Sequence, residues 1–65
     1  MEKYIIIDTT ENTGKPFIAG IDANNVNTSD IDQAETFNNK GDALNYIMFN
    51  GWEKWARVAP LSDYK

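Results

Sequence analysis

Three carboxylates, Asp30, Asp32 and Glu35, form the densest group of chemistry-bearing side chains in this sequence. Paired carboxylates can divide acid and base roles when burial or mutual repulsion makes one of them hold its proton. These three lie in the polar stretch SDIDQAET, where water screens them, so a solvated turn is the expected reading. They do not make a calcium loop of the EF-hand type. Counted from Asp30, the sixth place needs glycine and holds Glu35, and the twelfth needs glutamate and holds Gly41.

Hydroxyls stand at Thr9, Thr10, Thr13, Thr28, Ser29, Thr36 and Ser62, but the chain has no histidine to activate any of them. It has no cysteine either, which removes the thiolate nucleophile, the thiolate metal ligand and the disulfide together. Lys3, Lys15, Lys40 and Lys54 sit among polar or terminal positions, where nothing desolvates an amine into a base. The run NTGKP at 12–16 has a superficial likeness to a phosphate-binding loop. It lacks the first glycine and the following helix, and Pro16 removes a backbone donor. No catalytic, cofactor or metal residue is assigned, and the chain is not expected to be an enzyme.

The residues left with binding capacity are aromatic. Trp52 and Trp55 stand three apart in NGWEKWARVAP, and the elements around them decide which way they point. Residues 3–9 (KYIIIDT) read as a strand, 10–16 as a turn and 17–23 (FIAGIDA) as a second strand. Residues 24–29 read as a polar loop. Residues 30–37 are a turn followed by a short strand at 34–37, with a single helical turn capped by Ser29 as the alternative. The helix is expected over 40–50, with Asn39 as N-cap, Asp42 in capping-box spacing and Gly51 as the stop. Its apolar stripe is Ala43, Leu44, Ile47, Met48 and Gly51. A last strand follows over 52–59, ended by Pro60, and 61–65 is a frayed tail.

The expected fold class is therefore α+β: a small antiparallel-rich sheet of three to four strands, β-β-(β)-α-β, with one helix packed on one face. The expected core is Ile5, Ile7, Phe17, Ala19, Ile21, Ala43, Leu44, Ile47, Met48 and Val58. Residues three apart in a strand point to opposite faces, so one tryptophan is expected to face the helix and the other to face away. A single helix covers one sheet face. The other is expected to show Tyr4, Ile6, Ile18 and Trp55 beside Arg57, unless the 24–37 loop and the tail cover it. An apolar patch on a small protein marks an interface, and Trp, Tyr and Arg are enriched at binding hot spots.

Sixty-five residues make one domain with a marginal core. A net charge of −4 argues against a phosphate backbone as partner. There is no membrane-spanning run and no signal-peptide pattern, so a cytoplasmic location is expected. In size and layout the chain resembles the small accessory proteins of phages and mobile elements, without a motif that ties it to them. The leading expectation is a protein-binding module that meets another protein or a copy of itself through the aromatic sheet face. Two alternatives are a stacking platform for single-stranded nucleic acid on Tyr4, Trp55 and Arg57, and an acidic nucleic-acid mimic using Asp30, Asp32 and Glu35.

Overall fold

The computed structural model describes residues 2–10, 16–19 and 27–64. Its organising strand is β1, Tyr4–Asp8. Three successive isoleucines are stiff at the β-carbon and favour extended backbone. Alternation sends Ile5 and Ile7 to one side and Ile6 to the other. Ile5 and Ile6 are both 0% exposed, and Ile7 is buried too. A strand buried on both faces has to be internal, and β1 is. The remaining strands are β2 (Phe17–Ile18), β3 (Asn27–Thr28) and β4 (Ala56–Pro60), all antiparallel, in the order β3-β2-β1-β4. The register runs from Tyr4 opposite Pro60 to Asp8 opposite Ala56, and sets Ile7 opposite Phe17.

The helix α1 spans Lys40–Asn50. It starts where expected: Asn39 Oδ1 accepts the Asp42 amide at 2.8 Å, and Asn39 Nδ2 donates back to Asp42 Oδ2 at 3.2 Å. It also stops where expected, at Gly51 with φ 72° and ψ 30°. The Gly51 amide reaches the Met48 carbonyl at 3.2 Å and the Trp52 amide reaches the Ile47 carbonyl at 3.0 Å. This pair of bonds is the Schellman closure, which folds the next residue back onto the helix's buried side.

The fold class agrees with the sequence reading, but the faces are exchanged. The helix lies over Ile6, not over Ile5 and Ile7. One cluster joins Ile6, Ile18, Ala43 and Ile47, with Tyr4, Phe37, Tyr46, Trp52, Trp55, Ala56 and Val58 packed around it. The second joins Ile5, Ile7, Phe17 and Ala34, with Ile31, Ala59 and Leu61 against it. Most of the large aromatics pack between helix and sheet, while the opposite face is covered by irregular chain. That cover comes from the 3-10 turn Ile31–Gln33, Ala34, and the tail. The tail is not frayed as expected: Leu61–Asp63 forms a second 3-10 turn, Leu61 packs on the core, and Tyr64 meets Phe17 edge-on at 5.5 Å.

Other expectations are corrected in detail. The third strand is the polar pair Asn27–Thr28, within the stretch expected to be a loop. Residues 34–37 contribute isolated bridges, Ala34 to Ala19 and Phe37 to Tyr4, after a turn capped by Asp30 rather than Ser29. The second strand is described only as far as Ala19, and Ile21 lies outside the described residues. The last strand begins at Ala56, four residues later than expected. Leu44 and Met48 are 46% and 63% exposed, so they are not core. The helix presents the line through Ala43 and Ile47, with Tyr46 beside it, to the sheet, and Leu44 and Met48 are carried round its flank.

Two measurements check this packing. Ile6→Ala and Ile18→Ala should each cost about 3 kcal/mol in urea unfolding, against under about 1 kcal/mol for Leu44→Ala. The former loss is a large part of the ~3–10 kcal/mol a chain of this size holds. Equal losses at all three positions would contradict the exchanged faces. Gly51→Ala should cost about 1 kcal/mol through backbone strain alone, because a β-carbon there meets no atom within 4 Å.

Candidate functional site

The Schellman closure delivers Trp52 to the helix–sheet gap, and the chain then turns once more. The Trp52 carbonyl accepts the Trp55 amide at 3.1 Å and the Ala56 amide at 2.9 Å. Residues joined by such a turn lie on one side, so both tryptophans face the helix. Their rings sit 5.1 Å apart. The contact extends from Trp52 to Tyr46 at 5.7 Å and from Tyr46 to Phe37 at 5.3 Å. Expecting opposite faces assumed that the strand began at Trp52. A turn stands there instead.

The expected docking residues are thereby placed. Tyr4, Ile6, Ile18 and Trp55 do come together, but beneath α1, with Ile6 and Ile18 at 0% exposure. Arg57 is separated from them. It is exposed and pairs with Ile7, so it stands on the opposite sheet face. A stacking platform combining Tyr4, Trp55 and Arg57 is therefore not assembled, and Tyr4 and Trp55 are packed against the cluster of Ile6, Ile18, Ala43 and Ile47. Lys3, next to Tyr4 in sequence, is hydrogen-bonded to Asn38.

The carboxylates hold the backbone. Asp30 Oδ1 accepts the Asp32 amide at 2.9 Å and starts the 3-10 turn. Asp8 Oδ1 accepts the Thr10 amide and hydroxyl, at 2.9 and 2.7 Å. Its Oδ2 accepts from Asn27 Nδ2 at 3.0 Å, tying β3 to the central strand. Among the described residues no group of His, Cys, Asp or Glu is arranged to hold a metal ion. None of their helices is long and apolar enough to cross a membrane.

What α1 leaves outside is apolar. Phe49 is 92% exposed, and Met48 and Leu44 on the same helix are exposed too. Sequence reading took Leu44 and Met48 for core and left Phe49 unassigned. The available signal was an excess: Leu44, Tyr46, Ile47, Met48 and Phe49 are more large apolar side chains than one stripe of a three-turn helix can bury.

Among the described residues the sheet edges offer little for strand addition. β3 is two residues long. In β4, alternation turns the amides of 56, 58 and 60 outward, since Thr9 and Lys3 bond to Trp55 and Leu61 on the inner side. The Ala56 amide is taken by Trp52, and Pro60 has none. That leaves only Val58 unrestricted, which is how native edges avoid pairing.

Burial and the nearby Glu35 carboxylate raise the Tyr46 phenol above its ordinary 10.0. The folded state thus favours the neutral phenol. Its contribution to stability is complete below pH 10 and falls away as pH rises through the raised value. Unfolding measured from pH 9 upward should show this loss beginning at about pH 10, and Tyr46→Phe should remove that part of the slope. An unchanged slope in the variant would contradict the assignment.

Compared with family models, with curated proteins and with solved structures, the chain matches none.

Proposed function

We propose that this chain is a non-enzymatic protein-binding module whose docking surface is the outward side of α1, carried by Leu44, Met48 and Phe49. The observation that carries this reading is Phe49, 92% exposed in a fold that packs its other described phenylalanines and both tryptophans. Phenylalanine is a poorer helix former than alanine, leucine or lysine, so at an exposed position it does nothing for the helix. Phe and Met are enriched in protein interfaces, and methionine adapts to irregular surfaces. The chain's lack of histidine and cysteine supports the non-enzymatic part of the reading. The partner is a protein, either another chain or a second copy.

The test is photo-crosslinking in cells that make the protein. Phe49 is replaced by the photoreactive analogue benzoylphenylalanine, and a second sample carries it at Arg57, exposed on β4. A protein adduct of one defined mass is expected from position 49 and not from 57. It should disappear when Leu44→Ser and Met48→Ser are added, changes that cost little stability at exposed positions. No adduct from position 49, or equal adducts from both, would overturn the proposal.

A further inference from the structure

We infer that Asn50 is a site of spontaneous deamidation held closed by the C-terminal cap of α1. Opening of the last helical turn then commits the chain to an irreversible change of charge and backbone, at the point on which the placement of the tryptophans depends. This chemistry is separate from the docking role of α1. Asn50 is followed by Gly51, whereas every other asparagine is followed by a residue whose side chain crowds the attacking amide. A β-carbon at Gly51 would meet nothing within 4 Å, so the space around that amide is open. Asn50 and Gly51 are both exposed, so water reaches them.

The reaction needs water and hydroxide and nothing else. The Gly51 amide gives its proton to hydroxide, and its nitrogen attacks Asn50 Cγ. The N–Cγ bond forms, the Cγ–Nδ2 bond breaks, and Nδ2 takes up a proton and leaves as ammonia. Water then opens the resulting five-membered imide at either of its two carbonyl–nitrogen bonds. One opening gives aspartate. The other gives isoaspartate, in which the main chain runs through the former side chain. Nothing is oxidised or reduced, and the net change is water in and ammonia out.

The structure holds each participant off this path. In the imide, Cγ occupies the place of the Gly51 amide hydrogen. That hydrogen is directed at the Ile47 and Met48 carbonyls, with the Met48 oxygen 3.2 Å from the nitrogen. Asn50 is the last residue of α1, and its helical ψ turns Cβ out of the Asn50–Gly51 peptide plane, where ring closure needs it. The leaving nitrogen is held as well, because Asn50 Nδ2 donates to the Tyr46 carbonyl at 2.8 Å. These restraints all belong to the last helical turn and are released together when it opens. The product cannot remake them. A carboxylate has no proton to donate to the Tyr46 carbonyl. It also stands at the negative end of a helix that has no basic residue in its last turn. Isoaspartate lengthens the backbone just before the Gly51 and Trp52 amides, so the closure that carries Trp52 over the helix is lost.

The test ages the purified chain in mildly alkaline buffer, one sample folded and one unfolded in guanidinium chloride. Tandem mass spectrometry locates each gain of a single dalton and separates Asn50 from Asn45. Methyl transfer by a protein isoaspartate methyltransferase counts the isoaspartate. In the unfolded sample the change is expected first at Asn50, and in the folded sample it should be at least ~tenfold slower. Gly51→Ala, aged unfolded so that its fold does not enter, should slow the change at Asn50 at least ~tenfold. Asn50→Asp should lower the folding equilibrium constant about threefold. Aged chain containing isoaspartate should unfold at lower urea than fresh chain, followed by tryptophan fluorescence. An unfolded chain that changes first at another asparagine, or not at all, would overturn the site. Equal rates in the folded and unfolded samples would overturn its protection by the cap. Aged and fresh chain with the same unfolding curve would overturn the link to the tryptophans.

Discussion

The structure depends on a strand that cannot face water on either side. Ile5, Ile6 and Ile7 are buried in alternate directions, so β1 needs two covers. A chain of this size has one helix to give. The helix goes where the larger apolar mass is, against Ile6, Ile18 and the aromatics. The opposite face is closed by pieces that are not regular layers: a capped 3-10 turn, a bridged alanine and a tail held by Leu61 and Tyr64. Burial of apolar surface is the dominant favourable term in folding. Here it is obtained by using irregular chain as a third layer.

A local event at the helix end decides where the aromatics go. Gly51 adopts the left-handed conformation, the Trp52 amide closes on Ile47, and the ring is carried back over the helix's buried side. The next turn brings Trp55 beside it. From there rings run in contact through Tyr46 to Phe37, whose backbone pairs with Tyr4 at the start of β1. The capping chemistry and the central strand are thus linked through one aromatic cluster. Aromatic pairs add to stability beyond their area, which suits a small core without disulfides or described metal ligands.

The interior arrangement determines what remains on the surface. Among the described carboxylates, Asp30 and Asp42 cap turns of the chain and Asp8 ties β3 to the central strand. The surplus apolar residues of α1 have no sheet left to cover.

Several features were readable directly from the residues. The helix bounds, Asn39, Asp42 and Gly51 follow from capping chemistry, which acts between residues a few positions apart. The strand at KYIIIDT, the α+β class and the absence of a histidine or cysteine site followed as well, because β-branched runs and residue types are local facts. The choice of face was not readable. Ile5 with Ile7 and Ile6 with Ile18 are equally apolar sets, and period-2 alternation is silent on which one meets the helix. The side taken by Trp55 was also hidden, since a turn and a strand start at Trp52 differ by hydrogen bonds that the residue types alone do not specify. By itself the sequence determined the α+β class, the first strand and the helix with its two caps. Only tertiary packing decided that most of the aromatics are interior and that Leu44, Met48 and Phe49 are exterior, because one helix can bury one side of its surface and most of the large rings pack between it and the sheet.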